Sequence, residues 1–326
     1  MRRRSILCGV GGLVVTGLVL AVRGQAQPST PVIGFLSNRT PAQGRYLVAA
    51  VREGLKQTGF VEGENVTIDY RWSGGDTSRL PSLAEELVRR PVAVIVAGGT
   101  PQPAKAATAS IPIVFTTGLD PMAYGLVASL SRPGGNVTGV TFYSGALLGK
   151  QLEFLRELAP RTASFGILVR QGSPSAAPQV ADLREAVRAT GVAIDVVPAA
   201  AEADFEPAIA GFARKSNAAL VVSVDPYFDS RAAQLASLAA RYSLPAVYNL
   251  REYVDAGGLM SYGGSILDAY RQAGNYPGRI LKGAKPSELP VLLPTTFELV
   301  INRKALAALG LGISPSLLAR ADEVIE

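Results

Sequence analysis

The chain has no histidine and one cysteine, Cys8, among its 326 residues. Without histidine there is no Ser-His-Asp triad, no Cys-His dyad, no HExxH zinc site and no imidazole general base. A lone cysteine forms no intrachain disulfide and supplies no multi-thiolate metal site. Charged residues are also sparse, 18% of the chain against a usual ~25%. What the chain does have is apolar residues, 48% of the total, and a length that predicts two domains, each with its own core. It is therefore neither disordered nor a solvated coil.

The formal charge is +6, from 32 Lys+Arg against 26 Asp+Glu, and such an excess invites an acidic partner. Its location argues otherwise. The chain opens Met1-Arg2-Arg3-Arg4, runs without charge from Ser5 to Val22, and continues with Gly24-Gln25-Ala26. A basic start, an apolar stretch and a small-x-small site make residues 1–26 an expected signal peptide. Arg3-Arg4-Ser5-Ile6-Leu7 also resembles a twin-Arg export signal, so Sec and twin-Arg routes both remain open. Cleavage after Ala26 removes four arginines (Arg2, Arg3, Arg4, Arg23) and no acid, which lowers +6 to +2. A nucleic-acid partner then loses its support, so none is expected. Cys8 leaves too, and a cysteine-free mature chain suits an oxidising compartment, the periplasm.

Past the leader, apolar β-branched runs alternate with Ala/Leu-rich helical patterns. Strands are expected at 32–36, 66–70, 92–96 and 113–115, with helices at 46–57, 80–90 and 103–109 between them. The rhythm restarts with helices at 151–158, 181–189 (ending at Gly191), 205–213 and 232–241. Strands at 165–169, 194–197, 219–224 and 245–248 interleave with these. A run at 259–262, a helix at 267–281, a late strand at 297–301 and a helix at 304–309 follow. This order predicts an α/β fold of two doubly wound, parallel-sheet lobes that meet near Thr138–Leu147.

Ligands of open α/β sheets bind beyond the carboxyl ends of the strands, so the residues after each run are the candidates. The first run is followed by Ser37 and Asn38. Val96 is followed by Gly98-Gly99-Thr100-Pro101, where Thr100 would cap a helix whose N-terminus favours an anion. Phe115 leads into Thr116, Thr117 and Asp120, the last equally readable as a helix cap. Val224 leads into Asp225-Pro226-Tyr227-Phe228-Asp229, with aromatics to stack on and acids to receive an ammonium. Asn249 and Glu252 follow Val247, and Tyr262 closes the Leu259 run. Hydroxyls, an amide, aromatics and acids without a nucleophile–base pair suit recognition better than catalysis. An enzyme using paired carboxylates, for instance Asp225 with Glu252, is the competing reading. Gly145-Ala-Leu-Leu-Gly149-Lys150-Gln151 only approximates a phosphate loop, being one residue short and lacking the final Ser/Thr.

Several longer stretches carry a resemblance. They are Pro31-Val-Ile-Gly-Phe-Leu-Ser37, Gly63-Glu-Asn-Val-Thr-Ile-Asp-Tyr-Arg-Trp72 and Ile111-Pro-Ile-Val-Phe-Thr-Thr-Gly118. Gly125-Leu-Val-Ala-Ser-Leu-Ser-Arg-Pro-Gly-Gly-Asn-Val-Thr-Gly139, Gly257-Gly-Leu-Met-Ser-Tyr-Gly263 and Pro315-Ser-Leu-Leu-Ala-Arg-Ala-Asp-Glu-Val-Ile325 complete the set. From about Pro31 to Glu326 the chain resembles ABC-transporter substrate-binding proteins of the tryptophan/tyrosine-binding type. That resemblance implies the type I periplasmic binding protein fold, with two lobes joined by three crossovers and ligand in the cleft between them. It places the N-terminal lobe at 31–140 plus roughly 263–290 and the C-terminal lobe at 141–262 plus roughly 291–326. It implies a monomer that closes around a small-molecule ligand such as an aromatic amino acid and is read by an inner-membrane ABC permease. Gly99-Thr100 and Thr116-Thr117 match carboxylate-gripping positions, Asp225 and Tyr227 would face the ammonium and side chain, and Asn249 and Tyr262 would line the far wall. No catalytic residue, metal or cofactor is implied. An exported α/β enzyme and a ligand-sensing domain of a signalling system are the alternative readings.

Overall fold

Thr40 and Pro41 start the first helix. The Thr40 hydroxyl accepts from Gln43 N, Gln43 Oε1 accepts from Thr40 N, and Pro41 fills the first helical position. This capping box moves the helix start to Pro41, ahead of the Tyr46 expected from apolar spacing alone. In the computed structural model, which describes residues 30–143, 147–188 and 192–326, the chain from Pro31 onward forms one compact unit. The leader 1–26 with Cys8 lies outside the described residues, as do Gly145, Ala189 and Gly191.

The first lobe runs β1 (Val32–Ser37), α1 (Pro41–Gln57), β2 (Thr67–Trp72), α2 (Leu80–Val88), β3 (Val92–Gly98), α3 (Gln102–Ala107), β4 (Ile113–Thr117) and β5 (Val137–Thr141). Its strands are all parallel, in the order β2-β1-β3-β4-β5. The second lobe begins with α4 (Leu147–Leu158), β6 (Ser164–Arg170), α5 (Ala176–Val187), β7 (Ala193–Ala199) and α6 (Phe205–Ala213). It continues with β8 (Ala218–Val222), α7 (Pro226–Asp229), α8 (Ala232–Arg241), β9 (Ala246–Tyr248), α9 (Arg251–Asp255) and β10 (Met260–Gly264). After α10 (Ile266–Leu281) come β11 (Phe297–Asn302), α11 (Arg303–Ala308), α12 (Pro315–Arg320) and β12 (Glu323–Ile325). The second sheet has the order β12-β11-β10-β9-β8-β6-β7. Read from β7 to β10, it repeats the first sheet's arrangement, in which the lobe's second strand flanks its first. The parallel expectation needs one amendment, since β11 runs antiparallel to β10.

Both faces of the first sheet are covered. Along β3, Val94 and Val96 join the core beneath α1 and α10, while Ile95 and Ala97 join the core beneath α2. That two-sided burial explains the unbroken apolar run in the sequence. The chain passes between the sheets after Thr141, after Gly264 and between Leu292 and Phe297. α10 returns to the first lobe by close backbone contact with α1. A Cβ on Gly54 would fall 1.9 Å from Arg271 O, and one on Gly274 would fall 2.2 Å from Val51 O.

This contact generates a paired prediction. Gly54→Ala or Gly274→Ala forces α1 and α10 apart and lowers unfolding stability by roughly 1–3 kcal/mol or more. Gly211→Ala, on α6 with open space around its Cα, raises stability by roughly 0.5–1 kcal/mol. Urea unfolding of the three variants measures both effects, and equal outcomes at Gly54 and Gly211 contradict the packing argument.

Candidate ligand-binding site between the lobes

The repeated strand order creates two topological switch points, one between β1 and β3 and one between β6 and β8. Loops from the two lobes meet there. Asn38 Nδ2 donates to Pro226 O at 2.9 Å, Gln43 Nε2 to Ser230 O at 3.3 Å, and Arg231 Nη1 to Gly75 O at 3.3 Å. Ser175 N donates to the Tyr124 hydroxyl at 2.9 Å. Asn38 crosses the seam because residue 99 is glycine. Its φ is +83°, and a Cβ there would sit 2.5 Å from Asn38 Oδ1.

The seam is charged at its centre. The Arg39 guanidinium meets the Glu252 carboxylate at 2.9 Å through both Nη atoms, with side chains only 9% and 18% exposed. Burial raises the Glu252 pKa, and the Arg39 charge opposes that rise. Asp229 is buried beside them and accepts from the Tyr253 hydroxyl at 3.2 Å. Burial pushes its pKa up to about 7 despite the Arg39 charge. Asn249 is buried alongside, and its amide opposes the rise in the Asp229 pKa.

Two recesses flank this knot. One, of about 570 Å³, is bounded by Arg39, Tyr46, Asp229, Arg231, Glu252 and Asp255 among others. The other, of about 550 Å³, lies at the β6/β8 switch point and includes Thr100, Gln102, Leu119, Tyr124, Arg170 and Asp225. Asp225 caps α7 by accepting from Tyr227 N at 2.9 Å, and it accepts from the Ser173 hydroxyl at 2.8 Å. Burial raises its pKa, against these hydrogen bonds and the Arg170 charge. The Tyr227 ring contacts two guanidinium groups, with Arg170 Cζ 4.4 Å and Arg231 Cζ 3.7 Å from its centroid.

Of the sequence candidates, Ser37, Asn38, Gly99, Thr100, Thr117, Asp120, Asp225, Tyr227 and Asn249 fall at or just beyond the carboxyl ends of strands, on loops and short helices. Thr116 and Thr117 are the last residues of β4 and fully buried. The Thr116 hydroxyl has no partner, whereas Thr117 donates to Gly99 O at 3.0 Å and receives from Leu119 N. A hydroxyl has one proton, so Thr117 has none left for a ligand carboxylate. Thr100 makes no cap to α3, which is six residues long and begins at Gln102. Asp120 accepts from Met122 N and Ala123 N at the head of a turn, with no helix following it. Tyr262 packs elsewhere, edge-on to Phe154 at 5.0 Å and stacked near Phe297. The phosphate-loop look-alike fails, because Gly149, Lys150 and Gln151 lie within α4 and buried Gln151 donates to Tyr262 O. Asp225 and Glu252 are held by different partners, Ser173 and Arg39.

Arg39, Gln102, Tyr124, Arg170 and Ser173 were not singled out from the sequence. Arg170-Gln171-Gly172-Ser173 directly follows the Val169 run, so its place beyond a strand end is the signal that marks it. Among the described residues no cluster of His, Cys, Asp and Glu could hold a metal ion, and no helix is long and apolar enough to cross a membrane.

With this geometry in place, likeness to known proteins becomes decisive. Residues 41–325 match the family described as ABC transporter substrate binding protein. The chain belongs to that family. It is 27% identical over 257 residues to a tyrosine-binding protein of Clostridioides difficile, covering 78% of this chain and 74% of that protein. A Streptococcus ABC domain solved in complex with L-Trp matches with TM-score 0.83 at 27% identity, covering 91% of this chain and all of that one. The ligand-free, open structure of a C. difficile substrate-binding protein matches with TM-score 0.68 at 25% identity, covering 90% and 99%. The fold is that of type I periplasmic binding proteins. The family consists of substrate-binding proteins rather than enzymes, and such proteins of ABC importers work outside the cytoplasm with a permease partner.

The seam predicts a pH effect. Protonated Asp229 contributes stability that is complete below its ordinary value near 4 and is lost as pH rises through about 7. Asp229→Asn keeps the acceptor for Tyr253 and does not titrate. The melting temperature of this variant therefore gains on the parent as pH rises from about 4 to about 7, then stays parallel to it. A difference that is constant across this range, measured by scanning calorimetry without ligand, refutes the buried-acid reading.

Proposed function

We propose that this chain is the periplasmic solute-binding component of an ABC importer, holding a small carboxylate-bearing ligand, such as an aromatic amino acid, between its lobes. The observation that carries this reading is the recess at the β6/β8 switch point, where Asp225 stands buried beside apolar walls from both lobes. Its volume of about 550 Å³ suits a small ligand. Leu119, Pro103 and Pro226 supply apolar surface, and Tyr124 supplies an aromatic ring. Relatives that bind tyrosine or tryptophan favour this ligand class. In this reading residues 1–26 are the export signal, the mature chain acts as a monomer, and lobe 31–140/263–290 closes on lobe 141–262/291–326. Ser37, Asn38, Gly99, Thr100, Thr116, Asp225, Tyr227 and Asn249 remain proposed contributors to the ligand's surroundings. The protein performs no chemistry on what it carries.

Titrating the mature protein with the twenty amino acids, and with sugars and nucleosides, tests the proposal by thermal shift and calorimetry. L-Tyrosine or L-tryptophan should stabilise saturably, by about 2.7 kcal/mol at a hundredfold excess over Kd, and be recovered unchanged. Stabilisation by a sugar or nucleoside alone overturns the amino-acid assignment, and turnover of the ligand overturns the absence of chemistry.

A further inference from the structure

We propose that Arg170 is the carboxylate clamp of the site, so that Arg170 and Asp225 together read the paired charges of an α-amino acid. This rests on the amino-acid reading of the cleft and assigns the ligand's orientation within it. Arg170 is the last residue of β6, and Asp225 follows the adjacent parallel strand β8, so they stand on the two sides of one switch point.

Each group has capacity that the protein leaves unfilled. The Arg170 guanidinium is engaged only loosely, through Asp225, whose raised pKa it opposes. Its nearest charged contact is Asp225 Oδ1 at 3.6 Å, and its side chain is 32% exposed toward the recess it lines. A guanidinium has five N–H donors in a planar fork that matches a carboxylate. The Tyr227 ring, 4.4 Å from Arg170 Cζ, holds that fork against a face rather than leaving it free in solvent. Asp225 accepts from Ser173 and from Tyr227 N, which occupies two of its roughly four lone-pair positions.

An α-amino acid fits this pair because both of its charges hang from one carbon. Its carboxylate on Arg170 and its ammonium on Asp225 replace one loose contact with an alternating ring of four charges. A decarboxylated amine would satisfy Asp225 and leave Arg170 unfilled. A deaminated acid would bring a second carboxylate against Asp225. Neither Gly99-Thr100 nor Thr117 offers a comparable donor set, since Thr117 has already given its proton and α3 is short.

The test compares L-tyrosine, tyramine and 3-(4-hydroxyphenyl)propionate by calorimetry on the parent, Arg170→Ala, Arg170→Lys and Asp225→Asn, with L-tryptophan and its two analogues in parallel. The parent should prefer the amino acid to either analogue by roughly tenfold or more. Arg170→Ala should lose roughly 10- to 100-fold for the amino acid and little for the amine, so that the preference between them collapses. Arg170→Lys should recover part of it, and Asp225→Asn should instead relax the rejection of the deaminated acid. A ratio of affinities within one variant does not depend on how much of the sample is folded. If the parent binds the amino acid and Arg170→Ala keeps the same amino acid-to-amine ratio, the clamp is wrong while the amino-acid reading stands. If the parent binds neither amino acid, both fall together.

Discussion

The Arg39–Glu252 pair is the interaction on which the arrangement of the lobes turns. It forms only when the loop after β1 meets α9, two segments more than two hundred residues apart. Removing two charges from water is costly, and mutual attraction offsets that cost only with good geometry and further hydrogen bonds. Here the pair comes with Asn38 on Pro226 and Arg231 on Gly75, so the seam carries polar contacts beside the ion pair. Polar contacts of this kind contribute little net free energy each, about 0.5–1.5 kcal/mol, because water replaces them when the lobes part. In the proposed function, a ligand that contacts both lobes would favour the closed state by its differential affinity for it.

The site's location follows from topology rather than from any one motif. Each sheet places its second strand outside its first, which opens a crevice between the lobe's first and third strands. Facing two such sheets brings two crevices together, and the chain must then cross between lobes more than once. α10 shows the mechanical consequence. It follows β10 of the second sheet, yet it packs on α1 through glycine contacts that admit no side chain. Tyr270 on this helix reaches Gly98, where a Cβ would lie 2.4 Å from its hydroxyl. One returning helix thus shapes the carboxyl end of β3 from behind.

Most of the fold was legible because buried parallel strands are apolar on both faces and leave unbroken runs. The ends of α6 and α8 were read from apolar periodicity as they stand. β5 was not, because Val137-Thr-Gly-Val-Thr141 is short and carries glycine where Phe115 O would meet a Cβ at 2.2 Å. It reads as a linker, and only its place beside β4 makes it a strand. The site was legible as a set of loops and not as a set of contacts. Asp120 and Thr117 sit where expected, but local N–H and C=O groups claim their side chains, as short polar residues at turns commonly allow. Tyr262 failed because strand alternation sends it toward Phe154, a fact of register that one apolar run cannot fix. Arg39 escaped notice because nothing near it in sequence marks its partner.

The missing histidines acquire a structural meaning at the seam. Imidazole is the usual side chain whose charge responds to its surroundings near neutral pH. Here the carboxylates of Asp225, Asp229 and Glu252 take that place. Burial raises all three, while Arg39 and Arg170 oppose the shift. Exposing these acids to water would return them toward ordinary values, so burial of the seam and proton uptake are linked. Arginine keeps its charge throughout, so the balance of the seam is set by the acids alone. A ligand ammonium placed among them acts in the same sense as a proton, because it supplies the positive charge that burial has made the carboxylates seek.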